Sequence, residues 1–203
     1  MTRITSVEAL RSIYPSPTER AVKKQLDRLD RHCRRFIGLS PFVVISSGGA
    51  DGLTDASPRG DRPGFVQILD DHTIAIPDWP GNNRLDTLSN IIARPSIGLL
   101  FLVPGVDETL RVNGEAELRD DEDLRSRFER SGKLPRLTIL VRVEEAYLHC
   151  AKALMRSRLW DPASRVDRSL LPTMNQMIQD QIGDEGPVEA QEEMVERYRK
   201  VLY

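Results

Sequence analysis

The first strongly periodic stretch of the chain predicts a helix over residues 17–37. Apolar side chains recur there at spacings of three and four, which places them on one face: Val22, Leu26, Leu29, Cys33 and Phe36. Ser16, Pro17 and Glu19 resemble a helix start, and Gly38 resembles a helix stop. Basic residues crowd the other faces of this helix. We interpret them as a solvated surface, and the alternative is a basic patch that binds an acidic partner.

After Pro41 the pattern changes to that of short strands. Alternating, β-branched or continuously apolar runs predict strands over residues 42–46, 64–69, 72–76, 97–103, 109–118, 137–143 and 146–148. Two helices are expected between them, one over residues 82–93 with Asn82 or Asn83 as its cap, and one over residues 120–131. Many short strands with few intervening helices predict a mainly β fold with flanking helices, in the form of an antiparallel barrel.

The last part of the chain returns to a helical pattern. Helices are expected over residues 170–182 and 188–202, on either side of a GDEGP breaker. The pattern therefore divides the chain into three parts. These are an N-terminal amphipathic helical segment that packs on the barrel (residues 1–38), a barrel domain (residues 39–160) and a C-terminal helical extension (residues 161–203).

Composition narrows the class of protein without identifying a function. The 203 residues suffice for a real core, and a net charge of −2 gives no general attraction to nucleic acid or anionic membranes. Cys33 and Cys150 lie far apart without a CxxC spacing, which suits a reducing compartment. No stretch approaches the roughly 20 apolar residues of a membrane span, and the N-terminus lacks a signal-peptide core. We therefore expect a cytoplasmic protein.

Several common catalytic signatures are absent from the sequence. It contains no GxxxxGK[ST] or GxGxxG phosphate loop, no GxSxG nucleophile elbow, and no HExxH or paired Cys/His spacing for a metal. The SSGGADG segment is interpreted as a hairpin turn, because no helix follows it to reinforce a phosphate cradle. His149 could serve as a base, but an isolated histidine near a core is more often only hydrogen-bonded.

Residues 55–114 concentrate groups that bind oxyanions. DASPRGD presents Ser57 and Arg59 from a turn or an extended segment shaped by Pro58, and IPDWPGNNR delivers amides and Arg84 to a helix start. Helix N-termini attract phosphate, so an arginine in that first turn suggests a bound anion. ETLRVNG places Thr109, Arg111 and Asn113 on one face of a strand. Guanidinium, hydroxyl and amide groups together are typical of a site for a phosphate ester or a polar ring.

These segments resemble the pyridoxamine 5'-phosphate oxidase-like superfamily, which has the FMN-binding split-barrel fold. The similarity covers about residues 36–160 and lies in DASPRGDRPGFV, PGNNRLDTLSNIIARPSIGLLFLVPG, TLRVNGEAEL and HCAKALMRSRLW. It implies an FMN-binding oxidoreductase whose flavin is reduced by a nicotinamide nucleotide or a small organic substrate. A non-enzymatic protein that stores or senses flavin, haem or a related ring is the alternative.

The resemblance also assigns expected roles to individual residues. Arg59, Asn83 and Arg84, with Asn82 beside them, match the positions that grip the FMN phosphate. The isoalloxazine would be lined by Ser57, Pro58, Ile76 and Pro77, and approached by the strand that carries Thr109 and Arg111. The family builds two equivalent sites at a homodimer interface, so a further group is expected to reach the partner's flavin: Lys152, Arg156, Ser157, Arg158 and Trp160.

Two features of true pyridoxamine phosphate oxidases are missing from this sequence. Those enzymes hold their substrate with an arginine–hydrophobic–lysine strand and a C-terminal Arg-x-His pair, whereas this chain ends EEMVERYRKVLY. The resemblance therefore implies the cofactor FMN, and it does not imply vitamin B6 as the substrate.

Overall fold

The computed structural model describes residues 3–200 and 202 of the chain. Within these residues lie seven strands: β1 (Phe42–Gly48), β2 (Thr54–Gly60), β3 (Gln67–Ile68), β4 (Thr73–Asp78), β5 (Ser96–Leu102), β6 (Thr109–Arg119) and β7 (Leu137–His149). They form one sheet in the order β2-β1-β5-β6-β7-β4-β3, and every neighbouring pair is antiparallel. Edge strands β2 and β3 therefore lie at opposite ends of the sheet.

Helices flank this sheet on the N-terminal side, between strands and after the last strand. They are α1 (Val7–Ile13), α2 (Glu19–Lys23), α3 (Arg31–Leu39), α4 (Asp86–Ala93), α5 (Glu122–Ser126), α6 (Lys152–Ser157), α7 (Met174–Ile182) and α8 (Gln191–Arg199), with short 3-10 helices at Pro162–Ser164 and Arg168–Leu170. The α3 and α4 helices contact the sheet, α4 through β1, β2 and β6 and α3 through β6 and β7.

The sheet curls so that its buried faces enclose one core. Alternate strand residues such as Val43 and Ile45 are fully buried, because successive side chains of a strand point to opposite faces. Arg59 on β2 and Asp78 on β4 form an ion pair across the opening, although four strands separate β2 from β4 in the sheet. The described strands show no pairing between β2 and β4. The fold is therefore a split β-barrel with flanking helices, as the sequence predicts.

A β-bulge at Gly114 allows β6 and β7 to bend together. The register between these strands shifts between Asn113 and Gly114. A Cβ atom at Gly114 would lie 1.9 Å from the carbonyl oxygen of Arg142, so only glycine permits this close approach of the two backbones. The bulge increases the local bend of the two longest strands and helps the sheet to curl.

The single helix predicted over residues 17–37 is wrong. The structure has α2 and α3 instead, separated by a segment in which Leu26 pairs with Ala146 of β7 through backbone hydrogen bonds of 3.0 and 2.8 Å. This part of β7 lies beyond its pairing with β4, so its free edge is covered by the N-terminal segment. Leu29 and Cys33 are buried as the apolar pattern predicts, whereas Val22 is exposed. The α1 helix has no counterpart in the predicted elements.

The predicted strands are largely confirmed, with two corrections. The strand expected over residues 64–69 is reduced to β3. DASPRGD, interpreted as a turn or extended segment, belongs to the edge strand β2, and it pairs with β1 so that Pro58 lies opposite Val44. An edge strand tolerates proline because the missing N–H can lie on the unpaired side.

The later helices are shorter than predicted. The helix expected over residues 82–93 begins only at Asp86, neither Asn82 nor Asn83 caps it, and the polar helix over residues 120–131 is reduced to α5. In the C-terminal extension α7 and α8 replace the longer predicted helices, and Val201 lies outside the described residues. No helix in the described part of the chain is long and apolar enough to cross a membrane. The three-part division of the chain stays a prediction.

Candidate functional site

A groove of about 590 Å³ opens at the split between β2 and β4. Its sides come from β2, from the loop between β4 and α4, and from the first turn of α4. The structure brings seven of the predicted cofactor residues together here: Ser57, Pro58, Arg59, Pro77, Asn82, Asn83 and Arg84. The volume lies within the range of about 300–1,000 Å³ that is usual for small-molecule sites.

Arg59 extends from β2 across the split. Its guanidinium donates hydrogen bonds to the Ser57 hydroxyl and, at 3.0 Å, to the Pro58 carbonyl oxygen. Its second terminal nitrogen lies 3.7 Å from Asp78 Oδ1, which is beyond normal hydrogen-bond length. The side chain is 26% exposed. A ligand in the groove can therefore reach this guanidinium in a partly desolvated setting, where charged contacts are stronger than in water.

Asp78 is the carboxylate that faces Arg59. Its side chain is only 15% exposed. Burial raises the pKa of Asp78 above its ordinary value, and the neighbouring Arg59 charge offsets only part of this effect. The strand end is fixed by the Arg136 backbone N–H, which donates to the Asp78 carbonyl oxygen at 3.0 Å. The opening of the barrel thus contains a partly desolvated carboxylate and guanidinium that are only loosely paired.

The start of α4 has an unusual backbone. Asn83 and Leu85 have φ angles of 60° and 62°, in the left-handed region that non-glycine residues rarely adopt. No described side chain caps the helix at Leu85, and the first helical residues Asp86, Thr87 and Leu88 line the groove. The first N–H groups of a helix lack partners within the helix, so a helix start that lines a groove can bind an anion. Strained backbone at such a place is typical of a binding site.

Arg84 lies beside this helix end but outside the helix. Its backbone N–H donates to Asn82 Oδ1 at 3.1 Å, and its side chain donates to Asp86 Oδ2 at 2.9 Å. The hydrogen bond to Asp86 raises the pKa of Arg84 above its ordinary value. The side chain is 72% exposed. The expectation that Arg84 occupies the first turn of the helix is therefore wrong, and its charge is already partly balanced by Asp86.

A phosphate-bearing flavin fits the groups that this groove presents. Arg59, Arg84 and Arg136 supply positive charge, and the uncapped start of α4 supplies N–H donors. Phe65 and Trp79 line the same groove and provide apolar surface. The charged groups can thus hold a dianionic phosphate, and the apolar side chains can contact a planar ring.

Comparison with known proteins identifies the family of this chain. The family model described as pyridoxamine 5'-phosphate oxidase matches residues 29–150, which is more than half of the chain. The chain belongs to this family. A comparison with curated proteins finds no match.

Solved structures with a similar fold come from several bacteria. A variant of HupZ from Group A Streptococcus is 16% identical, with a TM-score of 0.51 over 60% of this chain and 99% of that chain. An FMN-binding protein from Syntrophomonas wolfei is 12% identical, with a TM-score of 0.46 over 58% and 83%. The haem storage protein HutZ from Vibrio cholerae is 16% identical, with a TM-score of 0.42 over 60% and 94%. At these identities the likeness to HupZ concerns the fold alone.

Three residues that the resemblance to the pyridoxamine 5'-phosphate oxidase family places beside the flavin of the same chain lie outside the groove. Ile76 is fully buried in the core and does not line the groove. Thr109 is 6% exposed and pairs with His149 of β7. Arg111 donates to Glu145 Oε1 at 3.1 Å, and its guanidinium carbon lies 4.6 Å from the centre of the Tyr147 ring. Within this chain Ile76 and Thr109 are therefore buried, and Arg111 is paired with Glu145.

The predicted partner-facing residues lie on and after α6. Lys152, Arg156 and Ser157 are exposed, as is Arg158, which binds Asp161 through an Nε–Oδ2 contact of 3.0 Å. The Trp160 indole N–H donates to the Val106 carbonyl oxygen at 2.9 Å and fixes the chain against the loop before β6. None of these side chains lines the groove described above. The four exposed side chains are available to a partner, and their contact with a second subunit stays a prediction.

The charged groups of the groove that sequence reasoning missed include Asp78 and Arg136. Asp78 directly precedes Trp79 at the end of β4, and Arg136 directly precedes β7. Arg136 follows a proline and stands at a strand boundary, as Arg59 and Arg84 stand beside turns, so the same signal could have identified it. Asp78 had no comparable signal, because only the curled sheet brings it opposite Arg59.

Proposed function

We propose that the protein is an FMN-binding flavoprotein that acts as an oxidoreductase. The observation that carries the proposal is the groove at the barrel split, which combines the Arg59 guanidinium with the uncapped start of α4. A guanidinium can bind two phosphate oxygens at once, and a helix N-terminus stabilises negative charge. Membership of the pyridoxamine 5'-phosphate oxidase family supports a flavin as the phosphate-bearing group.

The residues of the groove divide between the two ends of the cofactor. We assign the phosphate to Arg59 and Arg84, with Asn82 and Asn83 presenting amides at the entrance to α4. The ring is lined by Ser57 and Pro58 on β2 and by Pro77 on β4, and the buried Ile76 supports Pro77 from the core. The bound flavin supplies hydride chemistry, so the protein contributes placement and electrostatics and needs no catalytic triad.

The proposal includes a homodimer in which each subunit completes the other's site. The sheet face opposite the core carries partly exposed apolar residues, and we name this group the outer sheet face: Phe42, Val44, Leu100 and Leu102. Contiguous exposed apolar surface on a sheet favours association with another protein. A partner seated there would bring the exposed α6 region, including Lys152 and Arg156, towards the groove of the other subunit.

Purification with and without added FMN tests the cofactor directly. We expect a yellow protein whose flavin absorbance elutes with it in gel filtration, and steady-state oxidation of NADH or NADPH with a dye acceptor. Binding without any reduction of the flavin would favour a storage or sensing role. A colourless protein that FMN cannot reconstitute, but that takes up haem or a deazaflavin, would contradict the assignment of FMN.

A further inference from the structure

The ion pair between Arg59 and Asp78, which crosses the split, is weak. One terminal nitrogen of Arg59 donates hydrogen bonds to the Ser57 hydroxyl and the Pro58 carbonyl oxygen, both in the same strand as Arg59. The other nitrogen faces Asp78 at 3.7 Å without a hydrogen bond. Among the described residues, Arg59 is the only charged side chain within ion-pair distance of the Asp78 carboxylate. Asp78 is therefore held by charge alone.

A phosphate group would compete with Asp78 for the same guanidinium. A dianionic phosphate can accept two hydrogen bonds from Arg59, whereas Asp78 accepts none in the present geometry. We infer that Asp78 is an internal counter-ion of Arg59, and that a phosphate bound by Arg59 displaces Asp78, which then takes up one proton from solvent. This inference rests on the proposed FMN site, and it makes Asp78 a positioning residue that acts through Arg59.

The surroundings of Asp78 explain why the displaced carboxylate becomes protonated. Burial already raises the pKa of Asp78, and Arg59 is the charge that opposes this effect. When phosphate engages Arg59, Asp78 loses that opposing charge and gains a negative neighbour, so its pKa rises further. The uncharged acid is then the stable form of a group that is 15% exposed.

Most of the other charged groups of the groove have hydrogen-bonded partners. On β2 and just after it, Asp55 accepts from the Asn90 side-chain amide at 2.7 Å, and Asp61 Oδ1 accepts from the Arg62 backbone N–H at 2.6 Å. Asp61 Oδ2 lies 3.7 Å from Arg130, which is no closer than Asp78 lies to Arg59. At the start of α4, Arg84 is paired with Asp86. Arg136, which precedes β7, is the remaining cation that lines the groove. If Arg136 turned to Asp78 when Arg59 left it, the carboxylate would stay charged and no proton would be taken up.

Calorimetry of FMN binding at several pH values from 5.5 to 8 tests the inference. Titrations in two buffers with different ionisation enthalpies give the number of protons taken up for each FMN bound. We expect the wild-type protein to take up more protons than Asp78→Asn, and the difference to approach one. The phosphate of FMN itself titrates near pH 6, but it does so with both proteins and cancels in the difference. Riboflavin, which lacks the phosphate, should show no such difference.

The FMN affinities of wild type and Asp78→Asn provide a second readout. Tighter binding by the variant would exclude a merely structural role for Asp78, because loss of a structural contact would weaken binding. Asp78→Asn removes the competing charge, so it should bind FMN more tightly than wild type at pH 8. The gain should be about tenfold for each unit by which FMN raises the Asp78 pKa, and it should shrink as the pH falls. Asp121→Asn is the matched control, because it alters an aspartate–arginine pair outside the groove and should change neither readout.

The outcomes separate this inference from the proposed function. Equal proton uptake by wild type and Asp78→Asn, or weaker FMN binding by Asp78→Asn at every pH, would overturn the role of Asp78 and leave the flavin site intact. Wild-type protein that binds no FMN at any pH would overturn both. Thermal unfolding of Asp78→Asn verifies that the variant is folded before either comparison is made.

Discussion

At the scale of single residues, the two arginines assigned to the phosphate differ most in their exposure. The Arg59 side chain is 26% exposed and faces a desolvated carboxylate, whereas Arg84 is 72% exposed and already paired with Asp86. A charged hydrogen bond in a partly buried site contributes more than an exposed one, because solvent screens the exposed charge. The lower exposure of Arg59 therefore predicts that its contact with the phosphate contributes more to the binding free energy than the contact of Arg84.

Arg59→Ala should weaken FMN binding more than Arg84→Ala does. Loss of a charged hydrogen bond of about 1.5–3 kcal/mol corresponds to roughly a tenfold to hundredfold loss of affinity for Arg59→Ala. Flavin fluorescence titration measures both variants, with Arg28→Ala, which alters an exposed pair outside the groove, as the control. An Arg84→Ala variant that loses as much affinity as Arg59→Ala would contradict the ranking.

The two cysteines should also differ in reactivity. Burial raises the pKa of the Cys33 thiol to about 12, whereas Cys150 is exposed after the end of β7. The thiolate is the reactive form, so Cys33 should be inert in the folded protein at pH 8. A thiol-reactive dye should label one cysteine per chain, identified as Cys150 by peptide mapping, and label both after unfolding. Rapid labelling of Cys33 in the native protein would show that α3 does not stay packed on the barrel.

At the scale of elements, the strands were predictable and the N-terminal helices were not. Apolar alternation identified β1, β5, β6 and β7, because each has one buried face. The helical period over residues 17–37 is equally clear, yet Leu26 pairs with β7 instead. The free edge of β7 exists only in the assembled sheet, so no local pattern could indicate that it would be covered.

The candidate site shows the same limit. Arg59, Asn83 and Arg84 were identified from residue types that bind phosphate, and the groove contains all three. Asp78 and Arg136 enter the groove only because the sheet curls and brings β4 and the start of β7 opposite β2. Likewise, the left-handed backbone at Leu85 depends on how α4 is joined to the barrel. The residue types were enough to predict the hydrogen-bond donors, whereas the charged residues beside them depend on how the sheet curls.

The close contact of β6 and β7 gives a prediction about the bulge. Gly114→Ala would place a Cβ 1.9 Å from the Arg142 carbonyl oxygen, and neither backbone can move without breaking strand pairing. We expect a loss of at least about 3 kcal/mol in the free energy of unfolding. Gly38→Ala is the matched control, because open space surrounds this exposed helical position. It should be neutral or stabilise by up to about 1 kcal/mol in chemical denaturation.

The α7–α8 pair should respond to acid through Glu189. Arg197 first, and Asn175 second, lower the pKa of Glu189 from 4.5 to about 2. A lowered pKa in the folded state stabilises the pair above pH 4.5, and this contribution is lost as the pH falls towards 2. Hydrogen exchange of α7 and α8 should therefore be faster in Glu189→Gln than in wild type at pH 6, and the difference should shrink towards pH 2.5. A difference that is independent of pH would exclude this ion pair as its cause.

At the scale of the whole molecule, the arrangement of the proposed homodimer depends on what covers the groove. Its open side faces solvent, while the exposed cations of the α6 region lie outside it. The C-terminal extension also exposes apolar residues, including Val166 at 70% and Leu170 at 71%. Two surfaces could therefore hold a second subunit, the outer sheet face or the C-terminal extension.

A charge placed on each surface decides between them. Val44 lies between Pro58 and Leu100 on the outer sheet face, so Val44→Glu would bury a carboxylate in a dimer formed there. We expect Val44→Glu to sediment as a monomer and to bind FMN more weakly, because Lys152 and Arg156 of the second subunit would no longer reach the groove. Val166→Glu in the C-terminal extension should remain a dimer with unchanged FMN affinity. Dissociation by Val166→Glu alone would place the dimer on the extension, and a Val44→Glu monomer that retains full FMN affinity would show that one chain builds the whole site.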